Sequence, residues 1–252
     1  MNTSKILVLV TAALTVFSCK TTENSHHENH KTHWGYTGKN KPANWSHISE
    51  QYKDCDGNSQ SPININDTQT TSQKNQLTVH YTHSKIAIVN NGHTEQFNVD
   101  EGNSLTFNGK VYSLKQFHMH TLSEHTVNGR HFPLELHFVN KAKDNTYAVI
   151  SVLVEEGEAS DFLTKYIPNL PKTEGEYNAD ESYDLRKLMP YTKHYYHYKG
   201  SFTTPPCTEV VEWIVLKEHL TASKKQLDAL HQLMHDNYRP LQKLNHNVIG
   251  VQ

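Results

Sequence analysis

"VYSLKQFHMH", Val111 to His120, and "LELHFVN", Leu134 to Asn140, alternate in side-chain character with a period of two. In an extended chain alternate side chains share a face. Gln116, His118 and His120 therefore point one way while Phe117 and Met119 point the other. In the second stretch Glu135, His137 and Val139 share one side, and Leu134, Leu136 and Phe138 the other. The apolar trio supplies a core contact, so Glu135 and His137 face something else.

The same period recurs outward from this pair, in "LTVHYT" from Leu77, "KIAIVNN" from Lys85, "SLTFNG" from Ser104, "TYAVISVLV" from Thr146 and "EVVEWIVL" from Glu209. Several of these runs are separated by Asn-Gly, Gly-Asn or Asp-Asn turn chemistry. The domain reads as mainly β (α+β). The clearest helix is expected after Ser223, which with Gln226 three residues on has the form of a capping box and is followed by an apolar face of Leu227, Leu230, Leu233 and Met234. A second helical piece is expected near Asp161 to Tyr166.

If the strand carrying His118 and His120 lies beside the one carrying His137, three imidazoles meet. Same-face neighbours on one strand are roughly 7 Å apart, within reach of one ion. Three neutral imidazoles suit zinc and leave a tetrahedral ion one position for water. A ligating histidine usually gives its other ring N–H to an oxygen acceptor. Gln116 and Glu135, each two residues before a proposed ligand and on its face, fit that need.

The composition agrees with small-molecule chemistry. The chain has 252 residues, 35% hydrophobic and 20% charged, and a formal net charge of -2. That balance gives no broad basic surface for phosphates, so nucleic acid is excluded as an expected partner. At the amino terminus Lys5 precedes an apolar run, Ile6 to Phe17, too short for a transmembrane helix but suited to an export signal, assigned to residues 1–18. Val16-Phe17-Ser18-Cys19 resembles the lipobox of bacterial lipoproteins, which makes Cys19 a lipidation site and the chain exported, periplasmic or at the cell surface. Plain secretion with Cys19 discarded is the alternative. Residues 19–32 read as a polar, histidine-rich tether in which His26, His27 and His30 could scavenge metal loosely. Residues 33–252 form one domain.

Within that domain "HWGY" (His33–Tyr36), "QSPINI" (Gln60–Ile65), "NNGH" (Asn90–His93), "QFHMH", "SEHTV" (Ser123–Val127), "ELHFV", "GSFTTPPCTE" (Gly200–Glu209), "WIVLKE" (Trp213–Glu218) and "NYRPLQ" (Asn237–Gln242) occur in this order. The set resembles an α-class carbonic anhydrase of the bacterial exported kind. The resemblance implies a single domain around a large twisted, mostly antiparallel sheet with short peripheral helices. It implies one Zn2+ per chain on His118, His120 and His137, backed by Gln116 and Glu135, and reversible hydration of carbon dioxide to bicarbonate through a zinc-bound hydroxide.

It further implies that Thr203 passes its proton toward Glu124, that Thr204 contacts water or bicarbonate, and that Val139, Val149, Phe202 and Trp213 line the carbon dioxide pocket. Phe202 departs from the leucine common in well-studied relatives. His93 matches the family's proton shuttle, and Tyr36, Asn91 and Gln96 would order water beside it. His125 and Arg239 look structural by the same pattern, and Cys55 would pair with Cys207. The oligomeric state stays open, a homodimer among the alternatives. Three other readings belong to different classes: a catalytically silent binding domain, which would be expected to lose a ligand, Thr203 or Glu124; a zinc-storage lipoprotein using the tether; and a side activity on esters.

Overall fold

The two histidine-bearing stretches are neighbouring strands in the computed structural model, which describes residues 33–244 and 249–252. Lys110–His120 pairs antiparallel with Leu134–Lys141, with His137 opposite His118 and Glu135 opposite His120. Leu134–Lys141 then pairs antiparallel with Tyr147–Glu156, which lies parallel to Val211–Leu216, which in turn is antiparallel to Tyr195–Gly200. On the other side Lys110–His120 borders Glu95–Val99 and then Ile86–Asn90. Among the described residues these strands belong to a 13-stranded, mixed but mostly antiparallel sheet.

Every period-two run is a strand, and both expected helices form, Asp161–Tyr166 and Lys224–Met234. Ser223 and Gln226 make the reciprocal capping bonds. The expected signal segment, Cys19 and the tether histidines lie outside the described residues.

The sheet separates two apolar layers, as the period-two pattern requires. On one face Phe117, Met119, Leu134, Leu136 and Phe138 join Ile150 and Val152, covered by Phe162, Leu163 and Tyr166 of one helix and Leu227 and Leu230 of the other. On the opposite face Val139, Val149, Val211, Trp213 and Tyr198 form a second cluster. A third, small cluster holds Trp45 against the Cys55–Cys207 disulfide. Among the described residues no helix is long and apolar enough to cross a membrane.

Strand register turns this second face into ordered rows. One row runs Gln96, His118, His137, Ser151, Val215 across five strands. The next runs Gln116, Val139, Val149, Trp213, Tyr198. Directly opposite residues point to the same side of a sheet, so a polar row that carries two imidazoles lies one step from a row of apolar wall.

Candidate metal centre

His118, His120 and His137 bring one ring nitrogen each to within 4.8 Å of one another. Their ring centroids are 4.7 to 5.3 Å apart. In each ring the other nitrogen is committed. His118 Nδ1 lies 2.8 Å from Gln116 Oε1, His120 Nδ1 2.7 Å from the carbonyl oxygen of Asn237, and His137 Nε2 2.7 Å from Glu135 Oε1. A carbonyl or carboxylate oxygen only accepts, so each of these nitrogens carries the proton. The lone pairs left over are on His118 Nε2, His120 Nε2 and His137 Nδ1.

The electrostatics keep those lone pairs available. Burial lowers His118 well below its ordinary value, reinforced by His120 and His137. Burial takes His120 down to about 4, and it lowers His137 as well, against the carboxylate of Glu135. All three rings are neutral at pH 7. His120 Nε2 is buried and has no hydrogen-bond partner. An acceptor orphaned in this way is costly, and a cation shared with the two neighbouring lone pairs would satisfy it; the donor set fits zinc.

Glu135 anchors more than one ring. Although burial opposes ionisation, His125 and His137 hold its carboxyl well below the usual range. It accepts from His137, His125 Nδ1, the Ser151 hydroxyl and the backbone N–H groups of Glu124 and His125, at 2.6 to 2.9 Å. His125 gives its other nitrogen to the Tyr198 hydroxyl at 2.6 Å and stands outside the three-lone-pair set.

Around this set lie the other residues singled out from sequence. Glu124 is fully buried; its Oε1 accepts the Arg239 N–H at 2.7 Å, and its Oε2 is 3.5 Å from His120 Nε2 and 3.8 Å from His137 Nδ1. Burial pushes Glu124 up to about 7, while hydrogen bonds from the Thr203 hydroxyl and the Arg239 N–H favour its ionised form. Trp213 packs edge-on against His137 and His125 at 4.8 and 4.7 Å and donates its indole N–H to Ser201 O. Val139 and Val149 are buried beside it, and the half-buried Phe202 ring meets Tyr147 edge-on at 4.7 Å. Thr203 is buried; Thr204 is half-buried, and its carbonyl accepts the N–H of Cys207.

His93 sits in the turn between Ile86–Asn90 and Glu95–Val99. Its ring stacks on Trp34 at 3.7 Å and 7°, with His33 at 5.8 Å and Tyr36 at 6.5 Å. Burial and His33 lower its pKa, and Glu174 raises it. The Asn91 side chain caps the turn by accepting the N–H groups of His93 and Thr94, and Gln96 donates to Asn98. Burial and the Glu124 carboxylate push the Tyr36 hydroxyl well above its usual range.

Three contributors escaped the sequence reading. Asn237 was visible only inside "NYRPLQ", and its backbone role leaves no compositional trace. Ser151 sits opposite His137 in the register, which alternation alone could have suggested once strand order was known. Tyr198 lies on Tyr195–Gly200, a strand whose run of tyrosine, histidine and lysine hides its period.

Fold and site together define a cluster of three histidines that could hold a metal ion, set on the face of a twisted sheet with a buried carboxylate, a threonine and an apolar wall beside it. A model of the eukaryotic-type carbonic anhydrase family matches residues 40–252. A carbonic anhydrase of Neisseria gonorrhoeae is 40% identical over 241 residues, covering 94% of each chain. The α-carbonic anhydrase of Thermovibrio ammonificans, solved with the inhibitor sulfanilamide, superposes with a TM-score of 0.84 at 38% identity, over 87% of this chain and 99% of that one. The α-carbonic anhydrase of Photobacterium profundum gives 0.81 at 38% identity, over 86% and 100%. The chain belongs to the α, or eukaryotic-type, carbonic anhydrase family and is an enzyme of that family.

Proposed function

We propose that this enzyme interconverts carbon dioxide and bicarbonate at one zinc ion held by His118, His120 and His137, and that His93 carries the released proton outward. The observation that carries this reading is the convergence of three neutral imidazole lone pairs whose partner nitrogens are all engaged by oxygen acceptors. Zinc bound there supplies the positive charge that lets water ionise near neutral pH and that favours the carboxylate form of Glu124.

The chain's own residues do the rest. An ionised carboxyl only accepts, so Glu124 draws the Thr203 proton toward itself, and Thr203 Oγ1 is left to accept from the reacting water. That fixes where the water's remaining lone pair points. Val139, Val149, Phe202 and Trp213 keep a dry wall for an apolar substrate, and Thr204 contacts the bicarbonate product. His93, whose ordinary range lies near neutrality, accepts a proton through water ordered by Tyr36, Asn91 and Gln96 and gives it to buffer. Gln116 and Glu135 fix ligand tautomers.

Around residues 33–252 we propose an export signal at 1–18 and lipidation at Cys19, with 19–32 as a tether holding the enzyme at a membrane outside the cytoplasm. Labelling with a fatty acid that persists in Cys19→Ser would overturn the anchor. The central test is the carbon dioxide hydration rate of protein lacking residues 1–18, before and after zinc is stripped and restored. A fast rate that disappears and returns with zinc is expected. Background rates with one zinc bound per chain would sink the reading.

A further inference from the structure

The turn carrying His93 and the strand carrying His118 and His120 are not joined by sheet pairing where it matters. Pairing between Glu95–Val99 and Lys110–His120 reaches only to Gln96 opposite His118. Beyond it, a side chain from a distant segment spans the gap. Asn237 is 2% exposed. Its Nδ2 donates to His93 O at 3.1 Å and to Met119 O at 3.0 Å, and its Oδ1 accepts the Thr121 N–H at 2.8 Å. The same residue's backbone oxygen takes the His120 Nδ1 proton. One amide thus grips the His93 turn and both neighbours of ligand His120. Asn91 holds the turn's internal shape, which does not fix where the turn sits.

We propose that the Asn237 side chain is a positioning residue for proton transfer: it clasps the His93 turn to the ligand strand and sets the distance the proton must travel. The proposal rests on the function proposed above. Proton transfer through ordered water depends steeply on geometry, and a displacement of about 1 Å at a distance from the chemistry can reduce rate on the order of a hundredfold. Loss of the Nδ2 donor frees the carbonyls of His93 and Met119 from their common partner. The Thr94 hydroxyl still reaches Met119 O at 2.6 Å, so the turn is loosened without being released.

The test uses zinc-loaded protein carrying Asn237→Asp, which keeps the acceptor for Thr121 and places an oxygen against two carbonyl oxygens, and Asn237→Ala. In weak buffer kcat is expected to fall about tenfold and kcat/KM less than about threefold, with imidazole restoring kcat. In a His93→Ala background the same substitution should lower kcat less than twofold, because the effect passes through His93. Equal losses in both backgrounds, or parallel losses in kcat and kcat/KM, would overturn the assignment. Amide hydrogen exchange over residues 91–95 gives a readout independent of turnover. An increase of at least tenfold in either variant supports the clasp, and unchanged exchange rules it out. Should the parent protein hydrate no carbon dioxide, the function proposed above falls while the exchange experiment still decides on the clasp.

Discussion

At the residue scale, the same burial acts in opposite senses on histidines and carboxyls, and both are present here. Burial strips protons from the three imidazoles proposed as ligands, which suits them to a cation. His120→Ala removes one of three donors and is expected to abolish tight zinc binding, measured as metal retained after dialysis against a chelator; one zinc per chain retained would remove His120 from the ligand set. Glu95 shows the reverse. It is buried on the Glu95–Val99 strand, its Oε1 accepts from Asn90, its Oε2 has no partner, and burial raises its pKa to about 7. The folded state therefore holds a proton that the unfolded chain releases above about 4.5. Stability from this group is present at low pH and declines as pH rises from about 4.5 to 7. Glu95→Gln keeps the acceptor for Asn90 and cannot ionise, so its melting temperature relative to the parent should rise between pH 5 and pH 8. A difference independent of pH would show that Glu95 does not titrate in this window.

At the element scale, what could be read from sequence was what is local. The two-residue period of "QFHMH" and "ELHFV" assigned each side chain to a face, because apolar Phe117, Met119, Leu136 and Phe138 could satisfy only the core. The S-x-x-Q box marked the start of Lys224–Met234 for an equally local reason. What escaped is whatever depends on chain segments meeting: the Tyr195–Gly200 strand, whose residues do not alternate in polarity, and the partners brought by Asn237 and Ser151. The cap shows the boundary between the two. Beyond its bond to the Ser223 N–H, Gln226 Oε1 accepts the Ser160 N–H, and its Nε2 donates to Ser160 O and the Thr164 hydroxyl, all near 3 Å. It ties two helix starts together, and no pattern within one helix shows it. Ser223→Ala should destabilise by about 1 kcal/mol as an ordinary cap loss. Gln226→Ala should cost more, about 2 kcal/mol, because it also takes the acceptor from the half-buried Ser160 N–H, whereas Ser160 O keeps the N–H and hydroxyl of Thr164. Urea unfolding separates the two, and equal losses would mean that the bridge to Ser160 contributes nothing.

At the scale of the whole molecule, the segments that complete the site are fastened from behind by one polar chain. Cys55 and Cys207 are bridged across 152 residues. Cys55 O accepts from Arg239 Nη2, Cys207 O accepts from Gln60 Nε2, and Gln60 Oε1 with Ser61 O accept from Arg239 Nη1. The Arg239 backbone N–H then reaches Glu124. The disulfide thus joins the loop bearing Thr203 to the segment that holds Glu124, the two partners whose contact orients the reacting water in the proposed mechanism. Closing a loop of this length stabilises by about 5 kcal/mol on chain entropy alone. For a domain of this size that corresponds to a fall of about 10 to 20 °C in Tm for Cys55→Ser with Cys207→Ser. If the bridge acted only through the unfolded chain, kcat at 25 °C would be unchanged in protein that remains folded. Because it braces both Thr203 and Glu124, kcat is expected to fall several-fold under those conditions, while zinc content stays at one per chain because no ligand is held by this network. Calorimetry, metal analysis and hydration rates on the same preparation separate the outcomes. A lowered Tm with unaltered kcat would confine the disulfide to stability, and loss of zinc would show that the ligand strands depend on it as well.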